Sequence, residues 1–448
     1  MTKINLLLLV LFSSIHAADS FDTWFTEGKV KGNVKYYYIA TNKDKVSGSK
    51  TSAHANTLGG KLSYTTEKLY GLSTGATFMT SNGFALPSSV DASIIGRDNG
   101  VRLEGDPSGK IAQQSFAVLG EAFMKYQYED LSVLYGRQVI NTPLIHGKVV
   151  RLLPSAVQGA FVDYQMDKVN IATSYLTHFK QRTSNKFINI IEHALGNNAK
   201  AITGSDQGEV VTADLVYKSK KTTFRVYDYY AKDFINSMYL DVDVKNTLAS
   251  GWKVNAAYQY IYQSSIGNAD TNLDKDGSLT NGNKISSNAM AFKFNASYKE
   301  MSLGFALSKV LSNSDRHDSL VLPWDGTPLY TNMITSNDLF QSNYGKAINA
   351  DSIYIGGTTG IRLGYTQKYD FTGFKGFKTS LSYLNAQNSK FAHNQRDYNI
   401  VLGYSIGEFS LALKGIWVRY NTSQSVDGTI NPQDNKLTQY RVIANYKF

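Results

Sequence analysis

From Val30 onward, apolar and polar positions alternate along the chain with a period of two. Val30, Gly32, Val34, Tyr36 and Tyr38 interleave with Lys31, Asn33, Lys35 and Tyr37. Leu58, Gly60, Leu62 and Tyr64 interleave with Gly59, Lys61 and Ser63. The same alternation returns at 118–128, 211–217, 238–244, 252–262, 292–298, 361–365 and 398–404. Period two over about ten residues marks strands whose two faces meet different environments.

The connections alternate as well. Short polar links (Glu129-Asp130, Asp167-Lys168, Lys220-Lys221, Asn246-Thr247, Lys299-Glu300, Ile406-Gly407) join one set of neighbours. Long irregular stretches, at 81–114, 139–157, 180–208, 263–284, 312–351 and 421–437, join the other set. Tight turns at one end and long loops at the other predict an all-β transmembrane antiparallel β-barrel, its turns periplasmic and its loops extracellular. The strand count is 18, with 16 the neighbouring alternative. No helix with a Gly-rich linker precedes the first strand, so the mature chain, 18–448, reads as one barrel domain.

The N-terminus supplies an address. Lys3 heads an apolar run to Phe12, and small residues follow through Ala17 and Ala18. This is the form of a secretory signal peptide over 1–17, too short to span a bilayer. The expected location is the outer membrane of a Gram-negative bacterium.

Composition narrows the choices. With no Cys among 448 residues, disulfide frameworks, thiolate metal sites and cysteine nucleophiles are excluded. A mean hydropathy of -0.27 excludes a bundle of apolar membrane helices but not a barrel, whose strands average out polar. Loss of Lys3 with the leader takes the formal charge from +10 to +9. Nucleic-acid binding would cluster these bases, whereas here they are spread singly along alternating strands. The 30 Tyr and 22 Phe fall largely on the apolar face. The last strand carries Tyr440, Val442, Ala444, Tyr446 and terminal Phe448 on one face. It resembles the signal by which barrel-assembly machinery recognises outer-membrane barrels.

Several motifs are spread along most of the chain. Gly136-Arg137-Gln138, Thr142-Pro143 and Arg151-Leu152-Leu153-Pro154 bracket the loop 139–157. Pro323-Trp324-Asp325-Gly326-Thr327-Pro328 stands in the longest loop, followed by Gly376-Phe377 to Tyr383 and by Arg396-Asp397. From about Thr26 to Phe448 the chain resembles the OprD-type outer-membrane porins. The resemblance implies an 18-stranded monomeric barrel, two loops folded inward to narrow the pore, and a ladder of bases on its wall. One departure is Asp325, where the family often carries glycine.

Apolar parity sets the outward face, so the opposite parity faces the lumen. That assigns a basic wall to Lys31, Lys35, Lys61, Lys253, Lys293, Arg362, Lys414 and Arg441. It assigns an acidic wall to Glu121, Asp163, Asp214, Asp241 and Asp243, with Lys125 beside the first. In strand order the bases occupy strands eleven to eighteen and, across the closure, one and two; the acids occupy four to ten. Opposed signs create a field transverse to the pore. By the family likeness, Thr142, Pro143, His146, Lys148 and Arg151 form a constriction loop.

Enzymatic signals are poor. His317-Asp318-Ser319 is the one His-x-Ser and lies in a loop beside Arg316, while His54, His178 and His393 lack an acidic pair. Asn272-Leu273-Asp274-Lys275-Asp276-Gly277 imitates a calcium loop, but its twelfth position is Asn283 rather than a bidentate Glu. The reading is a passive porin for small hydrophilic solutes, carboxylate-bearing or zwitterionic, with no cofactor and no nucleic acid. Its partners are those solutes, outer-membrane lipid and the barrel-assembly machinery. The alternative is a structural or adhesive barrel with a closed lumen.

Overall fold

The computed structural model describes residues 20–44, 50–83, 115–147, 151–273, 284–313, 316–334, 352–388, 394–426 and 429–448. The leader 1–17, Lys148, residues 274–283 of the calcium-like stretch and His393 lie outside them. So do 84–114 and 335–351, within two of the long loops.

Antiparallel neighbours run in chain order: β1 (Lys29–Asp44), β2 (Lys50–Thr65), β3 (Leu72–Gly83), β4 (Phe116–Tyr128), β5 (Leu131–Gln138), β6 (Ala156–Met166) and β7 (Val169–Lys180). The two-residue β8 (Ile188–Asn189) pairs with β7 alone, and the ring passes from β7 to β9 (Val210–Lys218). It continues through β10 (Thr222–Ala231), β11 (Ile235–Thr247), β12 (Lys253–Ser265), β13 (Ser286–Tyr298), β14 (Met301–Val310) and β15 (Thr358–Lys368). Then come β16 (Phe377–Asn388), β17 (Gln395–Ile406), β18 (Phe409–Val426) and β19 (Thr429–Lys447). β19 pairs back onto β1 and closes an 18-stranded barrel, as the alternation predicts. The terminal residue completes the seam: Gly32 N–H donates to the Phe448 carbonyl at 2.9 Å, and Phe448 N–H returns a bond at 3.1 Å.

Side-chain parity follows the sequence pattern. Val34, Leu62, Tyr135, Ile171, Val244, Leu363 and Tyr446 are exposed on the outside, a surface that is stable only against lipid. Two bulges reset the count. Thr77 faces Glu121 while Phe78 faces Leu119, leaving Gly120 unpaired, so Leu119 and Glu121 share sequence parity yet point to opposite faces. A second register shift falls between Gln158 and Gly159.

Three of the stretches expected to be irregular loops are corrected. The stretch 421–437 is not a loop: β18 and β19 stay paired from Phe409↔Tyr446 out to Val426↔Thr429. Its sequence is polar on both parities, so backbone pairing leaves no apolar signature there. The loops 180–208 and 263–284 are not wholly irregular, because they hold α2 (Ile190–Leu195), α3 (Ala199–Thr203) and α4 (Asn268–Asn272). Most exposed aromatics do lie on the outward face, among them Tyr135, Phe292, Tyr398 and Tyr446, while Tyr37, Tyr229 and Tyr239 are buried at inward positions. A short α1 (Phe21–Thr26), begun by a Ser20 capping box, also precedes β1; Trp24 Nε1 donates to the Leu72 carbonyl at 3.2 Å.

The largest buried apolar cluster lies inside the ring at its loop end. It joins loop residues Leu144, Ile145, Leu320, Val321 and Trp324 and helix residues Ile190, Ile191 and Leu195 to inward Tyr229, Ile235 and Ile261. Each such side chain stabilises by about 1.5–3 kcal/mol when taken from water, so the loops have strong reason to fold inward.

Candidate functional site

The loop between β5 and β6 is aimed inward from its first residue. Gly136 has φ of +137, and a Cβ there would sit 2.2 Å from the Ala122 carbonyl oxygen, so the Gly-Arg-Gln motif needs glycine. Val139 N–H then donates to Glu121 Oε1 at 3.2 Å. A tight turn at Thr142-Pro143 is held by Thr142 Oγ1 donating to the Ile145 carbonyl at 2.9 Å. Leu144 N–H reaches the Tyr229 hydroxyl on β10 at 3.3 Å.

The returning limb crosses to the opposite wall. Lys35 Nζ on β1 donates to the carbonyls of Arg151 and Leu152 at 2.9 and 3.3 Å. Lys180 Nζ donates to the Pro154 carbonyl at 3.1 Å. Leu152 and Leu153 pack on Tyr37, Ile39, Ala55 and Met79, which line β1 to β3.

The long loop after β14 is stitched to inward side chains of the other half of the ring. Gln263 Nε2 donates to the Val321 carbonyl at 2.8 Å, and Gln259 Nε2 to the Pro328 carbonyl at 3.0 Å. The Tyr330 hydroxyl donates to Asp241, Thr331 pairs with Ser308 at 2.6 Å, and Ile334 N–H donates to Asn399 Oδ1 at 3.2 Å. These partners lie on β11, β12, β14 and β17.

The two loops meet each other inside the ring. His146 N–H donates to the Trp324 carbonyl at 3.0 Å, and Ile145 bridges to Asp325. Trp324 Nε1 donates to the Ile190 carbonyl at 3.1 Å, tying in α2. Asp325 is buried, accepts from Ser155 Oγ and Arg182, and has φ of +61. The family's frequent glycine is explained by that left-handed backbone; aspartate tolerates it and adds an ion pair. Burial works to raise the Asp325 pKa, but Arg182 and Ser155 outweigh it and hold the carboxyl below its ordinary value. Neighbouring His193 is pushed down to about 4, first by burial, against the pull of Asp325. Asp325 is therefore a loop clamp rather than a free carboxylate at the mouth.

The assigned charges fall as follows. Lys31, Lys61 and Lys253 are exposed at inward positions near the turn end. Lys414 stands directly opposite Arg441 in the β18–β19 register, and Arg441 Nη1 donates to Tyr37 at 3.2 Å. Arg362 spans 3.4 Å contacts to the Tyr330 carbonyl and Ser382 Oγ. Lys293 lies 3.4 Å from Asp243 and over the Tyr330 ring. Asp163 and Asp214 share a cleft of about 520 Å³ beneath the first loop with Lys125 and Thr142.

The separation of signs is incomplete. Arg225 pairs with Asp241 within the acidic arc, and fully buried Asp397 sits within the basic one. Lys35 and Glu121 are spent on loop backbone, and Arg151 is itself buried. Sequence reasoning missed Lys180, Arg182, Gln259, Gln263 and Tyr330, which anchor the loops. Nothing local marks them, although Lys180 and Arg182 do flank a loop start.

A sequence profile described as outer membrane porin, OprD family, matches residues 23–448. No curated protein matches the chain. Among solved structures, Pseudomonas aeruginosa OccK8 (OprE) aligns with a TM-score of 0.71 at 14% identity, covering 95% of this chain and 99% of that one. P. aeruginosa OpdK, solved with vanillate, aligns with a TM-score of 0.67 at 13% identity, covering 94% and 98%. P. aeruginosa OccK2 (OpdF), in complex with glucuronate, gives 0.66 at 15% identity, covering 94% and 98%.

Proposed function

Because the chain belongs to the OprD family of porins in the Gram-negative outer membrane, we propose that it is a passive diffusion channel for small hydrophilic solutes bearing a carboxylate, zwitterions included. The observation that supports this reading is the pair of inward loops joined at His146–Trp324; on this reading they narrow the lumen between arcs of mostly unlike charge. On one side stand Lys414, Arg441 and Arg362, with Lys31 and Lys61 towards the turn end. On the other stand Asp163 and Asp214. A carboxylate steps along the bases while an ammonium group or its hydration shell faces the acids, and several weak sites keep release fast. Vanillate with OpdK and glucuronate with OccK2, both carboxylates, support the solute class. Diffusion down a gradient breaks no bond, so no residue is assigned a catalytic role.

Recording in planar bilayers tests the reading. Stable conductance steps, partly blocked by millimolar glucuronate or benzoate and unaffected by the matching alcohols, are expected. Absence of steps at high protein load would sink the channel and leave the structural or adhesive barrel with a closed lumen.

A further inference from the structure

Three bases line up on the outside of the barrel. Arg396 on β17 stands directly opposite Arg419 on β18, and Arg419 stands opposite Lys436 on β19. All three are exposed, and they share the parity of exposed Tyr398, Trp417 and Tyr440, so they face outward rather than into the lumen. Like charges directly across a ladder destabilise a sheet. Among the described residues no carboxylate forms an ion pair with any of them; Asp44, across from Lys436 on β1, continues the row without an ion pair.

The row has a definite height. Arg396 lies ten residues from Ile406 at the turn end of β17. At about 3.3 Å per residue and a tilt near 40° this is about 25 Å along the barrel axis, the height of an outer-membrane apolar band. The bases therefore stand at the loop-side boundary, where outer-leaflet headgroups lie. Just inside them is an aromatic shelf: Tyr383 and Tyr398 at 4.8 Å between ring centres, Trp417 and Tyr440 at 6.1 Å. The bases, Tyr398, Trp417 and Thr438 together line a concavity of about 530 Å³ on the outer wall.

We propose that this concavity binds a phosphorylated glycolipid of the outer leaflet, its phosphate bridging Arg396, Arg419 and Lys436 and its acyl chains lying over Tyr398, Trp417 and Tyr440. The planar guanidinium groups of neighbouring strands suit shared phosphate oxygens, and the anion removes the repulsion within the row. The aromatic rings meet chain methylenes below. The site lies outside the lumen and is independent of what passes through it.

The test uses the full-length barrel in detergent, titrated with bisphosphorylated lipid A, with its dephosphorylated counterpart and with dipalmitoylphosphatidylglycerol, bound lipid being counted by native mass spectrometry. Wild type is expected to bind the bisphosphorylated form at least tenfold more tightly than either of the others. Arg419→Gln lowers that preference at least threefold, and the triple variant R396Q/R419Q/K436Q abolishes it while keeping wild-type conductance and the heat-dependent gel shift of a folded barrel. Equal binding of the phosphorylated and dephosphorylated forms overturns the proposal, as does a triple variant that binds like wild type. Equal binding of phosphatidylglycerol overturns the glycolipid assignment.

Discussion

Lys35 donates through its ammonium group to the carbonyl oxygen of Arg151 at 2.9 Å, so a base on the first strand holds the far limb of a loop that leaves the ring at the fifth. The buried ammonium is satisfied by the Arg151 and Leu152 carbonyls and lies 5.4 Å from the Tyr37 ring centre. Lys35→Met removes two charge-assisted bonds, each worth about 1.5–3 kcal/mol net. We expect a looser constriction, seen in single-channel records as higher mean conductance and more current noise, with the barrel still folded. A trace indistinguishable from wild type would show that the packing of Leu152 and Leu153 holds the limb unaided.

Asp325 and Arg182 form a second clamp. Asp325→Asn leaves the Arg182 guanidinium buried without its anion, a loss of about 3–5 kcal/mol when one partner of such a pair is removed. The double variant D325N/R182M, which removes both charges, is expected to recover most of that loss. Denaturant titration of the folded gel band measures both, and equal losses in the single and double variants would count against an ion-pair clamp.

Acid acts on the same cluster through His193. Its folded pKa of about 4 lies below the ordinary value near 6.5, so the unfolded loop takes up a proton first as pH falls. Stability contributed at neutral pH therefore declines between about pH 6.5 and 4, by about 3 kcal/mol in total. The lowered Asp325 pKa leaves this window untouched: its contribution persists through weak acid and is lost only as pH falls further, through its folded value. His193→Phe is expected to flatten the pH 4–6.5 limb in thermal unfolding. If the limb keeps its slope, another group sets it.

Lys414 and Lys293 should differ as determinants of selectivity. Lys293 is offset by Asp243 at 3.4 Å, whereas Lys414 stands beside another base, Arg441. Lys414→Gln is expected to lower anion preference, read as reversal potential in a KCl gradient, more than Lys293→Gln does. It also relieves a like-charge pair, so thermal stability stays level or rises by a few tenths of a kcal/mol. A larger shift for Lys293→Gln would contradict this ordering.

The barrel was legible because one physical rule, apolar outside and polar inside, acts on almost every strand residue from Val30 to Phe448. Where the sequence is polar on both parities, as at 421–437, the rule loses its contrast and paired backbone looks like loop. The inward charges could be assigned by parity, but their partners could not. Whether Lys35 meets solute or the Arg151 carbonyl depends on where a loop comes to rest over a hundred residues away, and no local pattern encodes that. Asp325 was visible as a departure from a motif; its left-handed backbone and its bond to Arg182 emerge only in three dimensions.

The seam between Gly32 and Phe448 also bears on how the ring can close. Asn33 and Asn445, bonded across that seam at 2.5 Å, are separated by 412 positions. Loop-closure entropy makes such a contact among the slowest kinds to form. Until β19 pairs with β1 the sheet keeps two open edges, which must be shielded from other strands while the ring is unclosed.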